Sequence, residues 1–329
     1  MELTRRHALA GAAALAAAPL LPAITANAAA PMADKQAPSF YRYKVGDVQV
    51  TVISDGVNTF PLGDSFVLNA KKDEVAAALE KAYMPKDKVS IQFGPLVINS
   101  GGKLIVLDTG NGPGAFASSK GNVGQFATNM AAAGFDPNAV DMVVISHFHG
   151  DHINGLLNAE GAPAFANAEV LVPSVEWKYF MDDGEMAKQT GERMPGVFKN
   201  ARRVFEAGLK KKVTPYEWGK EVFPGLLAVE TAGHTPGHTS YVLSSGSGKV
   251  FIQSDVTNVP YLFAANPGWH AFFDQDPAMA ETARRKTYDM MVAEKLQVQG
   301  FHYPFPGLGN VEKDGNGYRV IPAPWNPVI

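Results

Sequence analysis

The sequence contains no cysteine. That excludes disulfides, thiolate metal ligands and a thiol nucleophile, so a metal bound here must be held by His, Asp or Glu. A cationic surplus is also missing: 29 Lys and Arg stand against 32 Asp and Glu, for a net charge of −3. The densest basic run, Lys210-Lys211-Lys212, is short and reads as a solvated turn. No nucleic-acid partner is expected, because that would need a basic stripe. There is no G-x-S-x-G elbow, so a serine triad has no candidate nucleophile. Gly110-Asn111-Gly112-Pro113-Gly114-Ala115 has the letters of a dinucleotide fingerprint, but Pro113 and the lack of a βαβ setting make it a loop. Past the N-terminus, no apolar run is long enough to span a bilayer.

What remains is a globular composition, with 329 residues of which 46% are hydrophobic and 19% charged. The N-terminus reads as an export signal over residues 1–28. Arg5-Arg6 precedes an Ala/Leu-rich stretch from Ala8 to Leu21, followed by the cleavage-like Ala26-Asn27-Ala28. The paired arginines and mildly apolar centre fit the twin-arginine type. A periplasmic or secreted protein, free of the membrane once the signal is removed, is expected. Residues 29–40 are rich in Ala and Pro and read as an arm, leaving 41–329 as one domain.

Alternation at Val48, Val50 and Val52 predicts a strand that ends in a turn at Ser54-Asp55-Gly56. Residues 73–82 and 122–134 read as helices, and Leu96–Asn99 with Leu104–Leu107 as a Gly-linked hairpin. Further strands are expected at Met142–Ile145, Glu169–Val172, Leu226–Glu230, Ser240–Leu243, Lys249–Gln253 and Gln297–Gly300. Asp276-Pro277 opens a helix running to about Lys295, as an N-cap followed by proline in the first turn. The tail folds back in a hairpin around Asp314-Gly315-Asn316-Gly317. Strands outnumber helices, which favours two mainly antiparallel sheets packed face to face with helices outside.

His147-Phe148-His149-Gly150-Asp151-His152 follows directly on one buried strand. In extended chain, residues two apart face the same way, so His147 and His149 can grip one ion. A turn then lets Asp151 and His152 hold a second. Three more candidates sit at strand ends, where a sheet can aim them: the His234/His238 pair, Asp255 and His302. Spacing does not decide between His234 and His238. Imidazole and carboxylate suit zinc, manganese, iron or cobalt. Asp108, closing a strand in Asp-Thr-Gly, is expected to hydrogen-bond the backbone or a ligand histidine. Asp55 reads as a turn residue, and His270 as a non-ligand in an aromatic loop. Two aromatic segments, Trp177, Tyr179 and Phe180 in one and Tyr261, Phe263, Trp269, Phe272 and Phe273 in the other, have two readings, the wall of an apolar pocket or packing in the core or a subunit interface, with Phe180 the pocket candidate.

These motifs resemble the metallo-β-lactamase superfamily over nearly all of residues 41–329. Within it, His234-Thr235-Pro236-Gly237-His238-Thr239 and the tail from Phe301 to Arg319 are most similar to methyl parathion hydrolase and its lactone- and ester-cleaving relatives. The resemblance implies an α/β fold, a four-layer αβ/βα sandwich with the site along one edge. It implies two divalent ions, zinc foremost, with His147, His149 and His234 on the first and Asp151, His152 and His302 on the second. Asp255 would bridge them, His238 would support, and Phe180 loosely matches a substrate contact. Asp151 and Asp255 carry the catalytic expectation.

The implied activity is hydrolysis of a lactone, aryl ester or related small-molecule ester, with organophosphate triesters as secondary substrates. Alternatives are a β-lactam or thioester hydrolase of the same fold, or a mononuclear-iron redox enzyme resembling a sulfur dioxygenase. Relatives commonly dimerise, so a homodimer is expected by analogy.

Overall fold

The computed structural model describes residues 32–33 and 36–329. The expected export signal lies outside the described residues. Contacts divide the chain into Met1–Ala37 and Pro38–Ile329, and the architecture below is that of the second unit.

The first sheet is built from β1 (Phe40–Val45), β2 (Val48–Ile53), β5 (Leu96–Ser100), β6 (Lys103–Leu107), β7 (Met142–Val144), β8 (Glu169–Pro173) and β9 (Val213–Tyr216), side by side in that order. The second runs β10 (Glu221–Phe223), β11 (Leu226–Glu230), β12 (Thr239–Ser245), β13 (Gly248–Ser254), β14 (Gln297–Gly300), β15 (Leu308–Asp314) and β16 (Gly317–Pro322). A separate hairpin pairs β3 (Gly56–Pro61) with β4 (Lys88–Phe93).

Side-chain alternation sorts the core into layers. On β5 and β6, Leu96, Ile98, Ile105 and Leu107 point between the sheets, against Leu226, Ala228, Tyr241, Leu243 and Ile252. Their neighbours Val97 and Val106 point outward, with Val143 and Val170, onto Phe126, Met130, Phe180, Phe198, Val204 and Phe205. Those residues belong to helices Phe126–Ala132, Ser174–Met181 and Arg193–Glu206. On the far side, Phe251 and Val298 pack with Tyr288 and Met291 of helix Pro277–Glu294. The result is helix, sheet, sheet, helix.

Several elements match the reading from sequence. The Pro277–Glu294 helix is capped by Asp276, whose side chain accepts from Met279 N. The tail hairpin turns between Asp314 and Gly317. Other elements differ. The arm stops at Phe40, which opens β1 and pairs with Ile53. Gly112–Ser118 is a short helix rather than a loop, with proline in its first turn. Most pairings are antiparallel, but β6, β7, β8 and β9 run parallel, with helices in their crossovers. Among the described residues, no helix is long and apolar enough to cross a membrane.

Candidate active site

Parallel neighbours carry their carboxyl ends to the same sheet edge, and this gathers the site. Asp108 leaves β6 beside the Ser146–His152 loop that leaves β7. Asp255 and His302 follow β13 and β14, also a parallel pair. The two sheets are tied together at this edge. Thr239 N donates to Ser146 O at 3.1 Å, and the Tyr216 and Tyr241 hydroxyls donate to Ile145 O at 2.9 and 3.0 Å. Asp108 and Ser254 adopt φ of +59° and +50°, left-handed backbone that is costly for these residue types and is held here by the surrounding packing.

At this edge the expected residues converge. His149 Nδ1 lies 3.1 Å from His147 Nε2 and 2.8 Å from His234 Nε2. Asp255 Oδ2 lies 3.2 Å from His234 Nε2 and 3.0 Å from His302 Nε2, while its Oδ1 is 3.2 Å from His152 Nε2. Asp151 Oδ2 is 3.6 Å from His152 Nε2 and 3.4 Å from His302 Nε2. Among the described residues, three sets have ligand atoms within 4.8 Å of one another: His147, His149 and His234; His147, His152 and Asp255; Asp151, His152 and His302.

The histidines are oriented from outside. Asp108 accepts from Ser146 N, Ser146 Oγ and His152 Nδ1, each at 2.8 Å. His147 Nδ1 meets Ser146 Oγ at 3.0 Å, His234 Nδ1 meets Asp274 Oδ1 at 2.8 Å, and His302 Nδ1 meets the Gln92 carbonyl at 2.7 Å. With its outer nitrogen carrying the proton, each of these rings turns a lone pair inward. Lone pairs packed this closely repel one another unless a cation lies among them. Among the described residues, His152 Nε2 and Asp255 Oδ1, both buried, have no hydrogen-bond partner. The donor set therefore fits cations. Burial pushes His147 and His149 well below the ordinary imidazole value, into the neutral form that binds a metal.

His238 does not join the ring of donors. Its Nδ1 donates to Thr231 O at 3.0 Å and its Nε2 accepts from Asp255 N at 3.0 Å. Burial first, then the charge of His234, lowers it to about 3, so it stays neutral and holds the Asp255 backbone. His270 pairs with Glu281 at 3.0 Å and is not in the cluster.

Two expectations need correction. Phe180 lines no part of the cleft: it is fully buried on the Ser174–Met181 helix between Phe148, Tyr179 and Phe198. The segment forms a helix, and the Phe180 ring packs that helix onto the first sheet. Asp55 is more than a turn residue. It is fully buried and accepts from Asn111 N, Asn111 Nδ2 and Phe126 N at 2.7–2.9 Å, pinning two loops.

The structure adds residues that sequence reasoning missed. Glu176, fully buried, accepts from Phe148 N at 2.9 Å, Thr235 Oγ1 at 2.9 Å and Gly237 N at 2.7 Å, bracing both histidine-bearing loops. Arg284 reaches Asp274 at 3.4 Å and donates to the carbonyls of Val256, Pro267 and Trp269 at 2.9–3.1 Å. The available signal was weak: a charged residue in an otherwise apolar helix face. Above the cluster opens a cleft of about 260 Å³, walled by Asn58, Ile91, Phe93, Arg193, Asn258 and Phe273.

Comparison with known proteins agrees with this geometry. An N-acyl homoserine lactonase from Bacillus sp is 28% identical over 194 residues, covering 59% of this chain and 64% of the lactonase. One from Bacillus thuringiensis is 24% identical over 167 residues, 50% of this chain and 57% of that protein. The chain thus spans less than two thirds of the length of these curated relatives. Among solved structures, AidC, a dizinc quorum-quenching lactonase in complex with a product, superposes with a TM-score of 0.81 at 22% identity, over 88% of this chain and 99% of that one. The hydrolase AbOPH, of the beta lactamase superfamily, superposes with a TM-score of 0.80 at 27% identity, over 89% and 100%. The sequence pattern of the metallo-beta-lactamase superfamily matches residues 96–287, more than half of the chain. With the sandwich and its edge of converging His and Asp side chains, that match places this chain in the metallo-beta-lactamase superfamily.

Proposed function

We propose that this protein is a hydrolase with a dinuclear metal site that opens lactones and cleaves related esters. The inward-facing His and Asp atoms, each ring steered by an outer acceptor, carry the reading. His147, His149 and His234 would hold one ion, and Asp151, His152 and His302 the other. Asp255, whose two oxygens face different histidines, would lie between them. Divalent ions bound there supply Lewis acidity and bring the pKa of water down from about 15.7 toward 7. Zinc suits the donor set; manganese, iron and cobalt do so as well.

The chain's own residues do the rest. Ile91, Phe93 and Phe273 give the cleft apolar walls that exclude water and hold an acyl portion. Asp151, whose side chain is 24% exposed against 3% for Asp255, is the carboxylate open to the cleft, where it would take the proton released by the attacking water and pass it to the leaving oxygen. The Bacillus relatives named as N-acyl homoserine lactonases support lactones as the substrate class. Organophosphate triesters form a secondary class, tested alongside. Export, to the periplasm or as a secreted protein, belongs to the same proposal and rests on Arg5-Arg6 and the Ala-rich stretch after it.

The test is metal analysis of the purified protein beside hydrolysis of a lactone, an aryl ester and a phosphotriester. Two metals per chain and turnover of the lactone are expected. One iron per chain without hydrolysis would instead support the redox alternative. Replacing His149 or Asp255 by Ala should abolish both tight metal binding and hydrolysis; full activity of either variant after chelation and dialysis refutes the assignment.

A further inference from the structure

We propose that Gln253 is a positioning residue for Asp255. Its side-chain amide, bonded to carbonyls on both sides of that aspartate, keeps the carboxylate turned to the metal edge and so sets how tightly two ions are held together. This rests on the dinuclear reading of the site and adds the group that aims its bridge.

Strand alternation places the residue. On β13, Val250 and Ile252 face the other sheet, while Phe251 faces helix Pro277–Glu294. Gln253 falls on the helix side and is fully buried, in the layer of Phe251, Tyr288 and Met291. An amide in so apolar a layer is costly unless its hydrogen bonds are made. Were the strand to continue, Asp255 would share that side and point into the helix layer, away from the histidines. Ser254 ends the extended run with a φ of +50°, and Asp255 turns to the site instead.

The Gln253 amide holds that turn. Its Nε2 donates to Thr257 O at 2.7 Å and to Ser254 O at 3.1 Å. One group thus bonds the carbonyl just before Asp255 and another two residues after it. Val256 N adds a main-chain bond to Gln253 O at 3.3 Å. On the other side, Oε1 lies 3.5 Å from the Tyr288 hydroxyl, which also pairs with the hydroxyl of Tyr303, the residue after His302. Two carbonyls on one side and a hydroxyl on the other decide which end of the amide faces which. His238 holds the Asp255 N–H, and Gln253 holds the carbonyls that flank it.

The consequence falls on the pair of ions rather than on either one. Each ion has three other donors: His147, His149 and His234 for one, Asp151, His152 and His302 for the other. Neighbouring cations repel, and Asp255, with oxygens facing both sets, is the anion between them. With the carboxylate loosened, the first ion keeps its donors, while the second enters against repulsion that is no longer offset.

The test titrates zinc into chelated protein against a chromophoric chelator, for the parent, Gln253→Met and Met291→Ala. The first variant keeps the side chain's length and removes the amide. The second opens a cavity in the same buried layer and controls for lost packing. In Gln253→Met the second zinc should bind at least about tenfold more weakly than in the parent, with the first within about threefold. Met291→Ala should melt at a lower temperature when chelated, yet keep both affinities within about threefold. Unchanged affinities in Gln253→Met, equal weakening of both ions there, or loss of the second ion in Met291→Ala as well would overturn the role.

Gln253→Glu, whose carboxyl donates to at most one of the two carbonyls, should show the same loss and stands in where the methionine variant does not fold. Failure of both to fold would also overturn it, making Gln253 a residue of the buried layer alone. A parent that binds fewer than two zinc ions per chain refutes the dinuclear reading. A parent that binds two, with variants that bind them equally well, refutes only the part given to Gln253.

Discussion

Replacing Asp274 by Asn separates two roles that one carboxylate plays. Its Oδ1 holds His234 Nδ1 at 2.8 Å, and its Oδ2 lies 3.4 Å from the Arg284 guanidinium. Both partners are buried; the Arg284 side chain is 3% exposed, and its remaining bonds go to neutral carbonyls. Asn is nearly isosteric and still accepts from His234. What disappears is the negative charge beside a buried cation. Breaking a buried ion pair by removing one partner costs about 3–5 kcal/mol. At about 2–4 °C per kcal/mol in a large domain, the melting temperature should fall by roughly 6–20 °C. His234 also loses the charge that raises its basicity, so metal affinity should drop about 10–100-fold. Calorimetry on chelated protein reads the first effect, since no metal contributes there. Competition with a chromophoric chelator reads the second. D274N protein that melts within about 2 °C of the parent when chelated would show that Arg284 does not depend on this carboxylate. Unchanged metal affinity would show that His234 needs no charged support.

Two further predictions concern the brace between the histidine loops. Burial lifts Glu176 to about 7 from its ordinary 4.5, outweighing its bonds to Phe148, Thr235 and Gly237. The folded state thus holds this proton more firmly than the unfolded chain. Its contribution to stability is complete below about pH 4.5 and is lost as pH rises through about 7, an effect of about 3 kcal/mol. Glu176→Gln should flatten the fall in melting temperature between pH 5 and 8; a profile parallel to the parent's would contradict this. In Gly237→Ala, a Cβ would sit 2.3 Å from Glu176 N and 2.6 Å from its Cα, backbone that cannot swing aside. A loss of about 1–3 kcal/mol with weaker metal retention is expected from urea denaturation and metal analysis, and a variant as stable as its parent would mean the loop shifts freely.

Much of the site could be read from the chain alone. His147-x-His149-x-Asp151-His152 states its chemistry locally, because two-residue spacing and a following turn aim the donors without knowledge of the fold. The apolar runs before His147, Asp255 and His302 announce strands by periodicity, and those strands form. The helix at Asp276-Pro277 was legible for the same reason, since capping is a local interaction. Helix Arg193–Glu206 was not, because Pro195 and Gly196 in its first turn mask the pattern.

Other matters were decided only by packing. Phe180 looked like a pocket aromatic and became core, because its helix turns that face onto the first sheet. Asp55 looked like a turn and became a buried hub, since its partners lie 56 and 71 residues away. His234 and His238, indistinguishable by spacing, take different roles once Asp274 claims the first and Thr231 the second. Glu176 meets its acceptor-seeking partners across 28 to 61 residues. Residue type and short-range spacing name the chemistry of a donor. Which nitrogen faces the site, and which charge stands behind it, depends on two sheets packing face to face with their carboxyl-end loops at one edge, and no local stretch of chain contains that information.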